Sequence, residues 1–288
     1  MILDYAGAVK RIQEIQAAEG AEIHPRARSQ FFTRGKKTAR AMVLLHGLTN
    51  SPAQFAAFGN LLFEKGHNVW IPRLPRHGYA DRMTRAHAHL TAAELIDALN
   101  HALDLARGLA DRVSVAGLSM GGTLAAYAAQ VRGDVDLAML INPGFALNGL
   151  AYALTRWLAR QPARLPNAFV WWNFAAREKF GPPHAYPGFY LRELAHVLAI
   201  GAEVYARAAR EKPAARAILV VTSRDPGLDH AITARVVERW RARGARVAEH
   251  FFRGADVPLL HDIMDPAHSQ ARLDLFYPVM MDLIQRSE

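Results

Sequence analysis

The chain has 288 residues, of which 51% are hydrophobic and 21% charged, a composition typical of a globular protein with its own core. It contains no cysteine, which excludes disulfides, a thiol nucleophile and thiolate metal ligands. The formal charge of +9 permits anionic partners. Because the basic residues are spread along the chain without a nucleic-acid-binding motif, we expect no nucleic-acid partner.

The N-terminal segment predicts a short amphipathic helix, because apolar residues recur there at helical spacing: Ile2, Tyr5, Val9, Ile12 and Ile15. Residues 1–20 lack the basic start and apolar run of a signal peptide. The longest apolar runs are also far too short to span a bilayer. We therefore expect a cytoplasmic protein without stable membrane insertion.

After a possible edge strand at Ser29–Thr33, short apolar runs alternate with helical patterns. The predicted strands are Ala41–Leu45, Asn68–Ile71, Val113–Ala116, Leu137–Ile141, Ala217–Val221 and Val247–Phe252. The predicted helices are Pro52–Lys65, Thr91–Ala110, Gly121–Val131, Ala231–Arg243 and Pro266–Arg286. Since the strands lack polar alternation, they are expected to be buried on both faces. This pattern predicts an α/β domain with a mostly parallel sheet flanked by helices on both faces.

Residues 144–212 interrupt this alternation. They contain no convincing strand, two helical patterns at Leu147–Arg160 and Tyr190–Arg210, and many aromatic residues. We predict a helical insertion here, with residues 1–143 and 213–288 forming the α/β core. Arg156 and Arg160 lie one turn apart in a stretch without acidic residues. We interpret the two arginines as part of a solvent-exposed helix face, in preference to a binding site for an anionic lipid headgroup.

The segment from Val113 to Gly122 reads G-x-S-x-G between a predicted strand and a predicted helix. A serine on such a tight turn projects its hydroxyl clear of the sheet, and glycines on either side prevent collisions with neighbouring turns. This pattern predicts that Ser119 is a nucleophile. The alternative is a glycine-rich turn with an incidental serine.

A serine nucleophile needs a base, and the base needs an orienting acid. In this architecture the acid and then the histidine follow later strands. Asp225 follows the strand Ala217–Val221 and is favoured as the acid, although Asp229 stays open as an alternative with an N-cap as its plainer role. His261 follows the last predicted strand and is the expected base. His268 is a rival, but it falls inside the predicted final helix.

Two backbone amides are candidates for an oxyanion hole. One belongs to Met120, which directly follows the serine. The other belongs to Leu48, since Gly47 allows a sharp turn directly after the first buried strand. No histidine pair shows metal-ligand spacing, so neither a metal nor another cofactor is expected.

Five segments together resemble the serine hydrolases of the α/β-hydrolase fold, in particular bacterial carboxylesterases and monoacylglycerol lipases. They are HGLTNSP (46–52), IPRLPRHG (71–78), VAGLSMGG (115–122), VTSRDPGLD (221–229) and LLHDIMDP (259–266). The resemblance implies that Ser119, Asp225 and His261 form a catalytic triad. It assigns the oxyanion hole to the amides of Leu48 and Met120. Two aspartates in the fourth segment leave the acid provisional.

In that family the insertion is a cap that roofs the substrate pocket. Phe145, Trp171 and Trp172 are therefore candidates to contact an apolar group of the substrate. The expected reaction is cleavage of small-molecule carboxylic esters with small to medium acyl chains, including monoacylglycerol-like esters, through an acyl-serine. An amidase, a thioesterase or a C–C bond hydrolase would use the same triad. A catalytically inert protein that binds a small ligand is the remaining alternative.

Overall fold

The computed structural model describes residues 3–287. Its main sheet has seven strands in the order β1-β3-β2-β4-β5-β8-β9. All neighbouring strands are parallel except the edge strand β1, which pairs antiparallel with β3. The strands are β1 Gln30–Phe32, β2 Thr38–Leu45, β3 Asn68–Ile71, β4 Ala110–Leu118, β5 Val135–Ile141, β8 Ala217–Thr222 and β9 Val247–Phe251. The predicted α/β fold and its edge strand are confirmed.

The helices are α1 Tyr5–Ala17, α2 Ala56–Glu64, α3 Ala92–Leu109, α4 Met120–Val131, α5 Tyr152–Arg160, α6 Leu191–Ala208, α7 His230–Ala242 and α8 Leu273–Gln285. A 3-10 turn at Pro52–Phe55 precedes α2. The predicted N-terminal helix is observed as α1, while Ile2 lies outside the described residues. No helix within residues 3–287 is long and apolar enough to cross a membrane.

The core consists of two apolar layers, one on each face of the sheet. Val43 and Leu140 pack in the layer covered by α1, α3, α4, α6 and α7. Their neighbours Leu44 and Met139 belong to the opposite layer, which α2 and α8 cover. Since successive side chains of a strand point to opposite faces, both layers need apolar residues. This requirement explains why the strands inside the sheet appear in the sequence as continuous runs of apolar residues.

The segment between β5 and β8 contains strands that the sequence patterns did not predict. Besides α5 and α6, it holds a two-stranded antiparallel sheet of β6 Phe169–Trp171 and β7 Gly188–Tyr190. The expectation that residues 144–212 hold no strand is therefore wrong. Strands of three residues are too short to show a period of two, and their aromatic residues resemble the rest of the segment.

The final helix begins later than predicted, at Leu273 instead of Pro266. Residues 266–272 form turns in which side chains accept backbone N–H groups: Asp265 Oδ1 from Ala267 and His268 Nδ1 from Gln270. Such local hydrogen bonds compete with helix formation. His268 thus lies in a turn, and its expected place inside the final helix is wrong.

Candidate active site

Ser119 lies at the carboxyl end of the central strand β4, on the turn into α4. Its φ is 57°, a conformation rare for residues other than glycine. A Cβ atom at Gly117 would lie 2.2 Å from Gly121 C, and one at Gly121 would lie 1.9 Å from Leu45 O. Both positions thus require glycine, because the strand, the turn and the helix approach too closely for any side chain.

Asp225 and His261 come together beyond the ends of the neighbouring strands. Asp225 Oδ2 lies 2.6 Å from His261 Nδ1. The Asp225 side chain is fully buried, whereas 38% of the His261 side chain is exposed. Asp229 instead caps α7, where its carboxylate accepts the backbone N–H of Ala231. The Ser119 hydroxyl makes no hydrogen bond with another residue of the described chain; such contacts often form only when substrate binds.

Opposing effects set the pKa of each member of this pair. Burial lowers the pKa of His261, but the hydrogen bond and charge of Asp225, with the charge of Asp262, outweigh it and raise that pKa above its ordinary value. Burial raises the pKa of Asp225, but hydrogen bonds from His261 and the Gly227 amide hold it below its ordinary value. The pair therefore favours a charged carboxylate beside a readily protonated imidazole.

The loop after β2 lies beside Ser119. A Cβ atom at Gly47 would lie 3.5 Å from Ser119 Cβ. Within residues 3–287, the backbone amides of Leu48 and Met120 donate to no other residue. Since Met120 begins α4, its amide is one of the free N–H groups at a helix N-terminus, where negative charge is stabilised.

Thr49 holds this loop in place. Its φ is 67°, and three neighbours contact it. Its N–H donates to His77 Nε2 at 3.2 Å, its carbonyl accepts the Tyr186 N–H at 2.7 Å, and its hydroxyl accepts Trp172 Nε1–H at 2.8 Å. Burial lowers the pKa of His77 to about 3, so its ring stays neutral and Nε2 accepts the Thr49 N–H.

The aromatic residues proposed to contact substrate occupy three different environments. Phe145 is buried in the core layer next to Gly201 of α6. Trp171 is partly buried, and its ring packs against Phe169. Trp172 is 44% exposed, and its Nε1–H donates to Thr49, the residue after Leu48 in the loop with the free Leu48 amide. Of the three, Trp172 alone is held directly on that loop.

Several residues that sequence reasoning missed fasten the loops of the site. Asn142 donates from Nδ2 to Ser223 Oγ and to the His261 carbonyl, both at 2.9 Å, and its Oδ1 accepts the Ser223 N–H. The Ser119 N–H donates to Ile141 O. The end of β5 therefore links the serine turn to the histidine loop. The only sequence signal for Asn142 is a polar residue directly after a buried strand.

The predicted cationic face of α5 lines a small cavity. Arg156 and Arg160 border a space of about 180 Å³ together with Glu203 and alanines of α5 and α6. The Glu203 carboxylate on this cavity pairs with Arg207. Among the described residues, no group of three or more His, Cys, Asp or Glu side chains could hold a metal ion.

The sequence profile of the alpha/beta hydrolase family matches residues 42–270. The chain belongs to this family. A curated relative, the thermostable monoacylglycerol lipase of Bacillus sp. (strain H-257), is 27% identical over 115 residues, which are 40% of this chain and 44% of that protein. The match thus spans less than half of that relative's length.

Solved structures resemble the chain over nearly its whole length. One, reported for the metagenome-derived lipolytic enzymes LipS and LipT, is 20% identical with a TM-score of 0.68, covering 92% of this chain and 99% of that one. A soluble variant of the Saccharomyces cerevisiae monoglyceride lipase is 15% identical with a TM-score of 0.67 and 91% coverage of both chains. The Paleococcus ferrophilus monoacylglycerol lipase is 15% identical with a TM-score of 0.66, covering 90% and 98%. At these identities the likeness shows the fold.

Proposed function

We propose that the chain is a serine hydrolase that cleaves carboxylic esters through an acyl-serine intermediate. Ser119 is the nucleophile, His261 the general base and Asp225 the acid that orients it. The observation that carries the proposal is the 2.6 Å hydrogen bond between Asp225 and His261, at the same sheet edge as a serine with φ of 57°. The strained serine costs on the order of 1 kcal/mol, which the surrounding structure must offset.

Ser119 Oγ attacks the ester carbonyl carbon while its proton passes to His261 Nε2. The carbonyl oxygen becomes an oxyanion, which the amides of Leu48 and Met120 stabilise; one such donor contributes about 3 kcal/mol. The imidazolium then protonates the leaving alcohol as its C–O bond breaks. Water repeats these steps on the acyl-serine, releasing the carboxylic acid and restoring the Ser119 hydroxyl.

The proposed substrates carry one small to medium acyl chain, as in a monoacylglycerol. The monoacylglycerol lipase relative supports this class. Two exposed apolar side chains on the loops of the site support it too, since Trp172 is 44% and Leu259 61% exposed. Trp172 contacts the loop that carries the Leu48 amide, and Leu259 lies two residues before His261. Such exposed apolar residues suit an aliphatic chain.

Hydrolysis of p-nitrophenyl esters from C2 to C12, and of monoacylglycerols of the same lengths, tests this proposal. We expect turnover that peaks at one chain length and is lost in Ser119→Ala but kept in the matched surface variant Ser269→Ala. A fluorophosphonate probe should label the wild type and not Ser119→Ala. Labelling without ester turnover would indicate an amide, thioester or C–C substrate, and a wild type that is neither labelled nor active would contradict the proposal.

A further inference from the structure

A chain of hydrogen bonds connects the loop after β2 with the histidine loop. Gln54, in the 3-10 turn before α2, accepts the Gly47 N–H with Oε1 at 2.8 Å. Its Nε2 donates to Asp262 Oδ2 at 2.7 Å. Gly47 precedes Leu48, and Asp262 follows His261. The chain thus runs between the backbone next to the proposed oxyanion amide and the backbone of the proposed base.

A second branch extends this network into the segment between β6 and β7. Asn50 Nδ2 donates to Asp262 Oδ2 at 3.1 Å and to Asp265 Oδ2 at 3.0 Å. His184 Nε2 lies 2.9 Å from the same Asp265 oxygen. Both His184 and Asp265 are buried. The buried Asp265 and the partly buried Asp262 therefore share one amide donor, and three separate segments meet there.

Asp262 is held more rigidly than a turn requires. Its Oδ1 accepts the backbone N–H groups of Met264 and Asp265, both at 3.0 Å, while Oδ2 accepts the side chains of Gln54 and Asn50. Burial and then the charge of Asp265 raise the pKa of Asp262 above its ordinary value. Burying two neighbouring carboxylates is costly.

We propose that Gln54 and Asp262 are positioning residues that hold the Leu48 amide in register with the His261 ring. This inference rests on the proposed function. Gln54 is 1% exposed and its amide plane is fixed at both ends, so a shift of either loop is transmitted to the other. Displacing groups by about 1 Å from their reactive geometry costs up to roughly 100-fold in rate.

The test compares Gln54→Glu, Asp262→Asn and the double variant, each against the wild type. Gln54→Glu sets two carboxylates against each other. In Asp262→Asn the new NH2 group faces another donor in either orientation of the amide. The donor is Gln54 Nε2 in one orientation and the Met264 and Asp265 N–H groups in the other. In the double variant the new amide at 262 donates to the new carboxylate at 54, which still accepts the Gly47 N–H. The link through position 54 is restored with donor and acceptor exchanged, while Asn50 Nδ2 keeps Asp265 Oδ2 as its acceptor.

In this test kcat is expressed per active site, counted by titrating the reactive serine with fluorophosphonate. We expect each single variant to lower this kcat by about 10- to 100-fold, and the double variant to recover most of the loss. Asp262→Asn should also move the acid limb of the kcat/KM profile to lower pH, because it removes one of the charges that raise the pKa of His261. The other charged or titratable residues near His261 and Asp262 are Asp225, Asp265 and His184, and this variant does not substitute them. Gln270→Glu and Asp282→Asn are the matched surface controls.

A melting temperature lowered in the single variants, with kcat per titrated serine within about twofold of wild type, would overturn the inference and leave the proposed function standing. A double variant no faster than the slower single variant would overturn it as well. If the wild type neither hydrolyses esters nor reacts with the probe, the proposed function fails and the inference fails with it.

Discussion

Ser119 and His261 differ in how the fold constrains them. Ser119 has positive φ at the junction of β4 and α4, where its N–H donates to Ile141 O and its carbonyl accepts the Thr123 N–H. Strain of this kind persists only where the surroundings impose it. His261 is held through its carbonyl by Asn142 and through Nδ1 by Asp225. Its side chain is 38% exposed, so Nε2 remains available for proton transfer.

Asp225→Asn should lower kcat on the order of 10³- to 10⁴-fold, because an amide no longer holds the imidazole in the tautomer that accepts the serine proton. Asp229→Asn is the matched control, since asparagine is an equally good N-cap and Asp229 caps α7. Steady-state kinetics on one p-nitrophenyl ester checks both. Equal losses in the two variants would contradict the assignment of the acid.

The raised pKa of His261 predicts the acid side of the pH profile. Catalysis needs the neutral imidazole, so kcat/KM should fall as pH drops through this pKa, with an inflection above the ordinary value of 6.5. The physical cause is that Asp225 and Asp262 stabilise the imidazolium more than burial destabilises it. An inflection at or below 6.5 would show that burial dominates instead.

At the scale of elements, the start of α6 is anchored by a buried pair. His87 Nδ1 lies 2.9 and 3.0 Å from the two carboxylate oxygens of Glu193, and both side chains are fully buried. Burial raises the pKa of Glu193 well above its ordinary value and lowers that of His87 to about 4. Burial therefore disfavours the charged form of both groups. Glu193 also caps α6 by accepting the Tyr190 N–H.

Glu193→Gln should stabilise the protein relative to wild type increasingly as pH rises from 5 to 8. The unfolded chain releases the Glu193 proton near 4.5, whereas the folded chain releases it only at a higher pH. The wild type therefore loses stability as pH rises towards the folded-state pKa. Melting temperatures across this range check it, with exposed Glu238→Gln as control. A constant difference between variant and wild type would mean that Glu193 ionises normally.

At the scale of the molecule, different kinds of residue lie at the two ends of the parallel strands. Ser119, Asp225 and Leu48 follow the carboxyl ends of β4, β8 and β2, and α/β proteins bind ligands at these ends of their strands. Arg40 lies near the amino end of β2 and is 1% exposed. It forms an ion pair with Asp136 at 2.8 Å and donates to Ser114 Oγ at 2.6 Å. These contacts join three central strands, β2, β5 and β4.

Arg40→Met should lower the free energy of unfolding by about 2 kcal/mol, because Asp136 loses its buried partner and keeps the half-exposed Arg216, and Ser114 Oγ loses its donor. It should leave kcat/KM unchanged at a temperature where the variant is folded, since the pair lies away from the carboxyl edge. Chemical denaturation and kinetics on the same sample check both parts. Arg286→Met, at an ion pair whose arginine side chain is 75% exposed, should change neither. A loss of kcat/KM in folded Arg40→Met would show that the two ends of the strands are coupled.

Most of the core could be predicted from contiguous patterns. Apolar runs identified the parallel strands inside the sheet, because strands buried on both faces need apolar side chains in succession. The edge strand β9 was also predicted, but the expectation that it is buried on both faces is wrong, since its side chains are half-buried or exposed. The G-x-S-x-G turn was equally local, since the close approaches at Gly117 and Gly121 arise within one strand–turn–helix unit. The patterns failed at β6 and β7, which are too short to show a period. They also failed at residues 266–272, where side-chain hydrogen bonds replace a helical turn.

By itself the sequence determined the class of fold, the position of Ser119 and two candidate aspartates, because each depends on neighbours along the chain. Only the tertiary structure decided that Asp225 contacts His261 while Asp229 caps a helix. It alone brought Gln54 to Asp262, 208 positions away, and Trp172 to Thr49, 123 positions away. Hydrogen bonds between such distant polar side chains leave no periodic signal, since their partners become neighbours only when the sheet and its loops assemble.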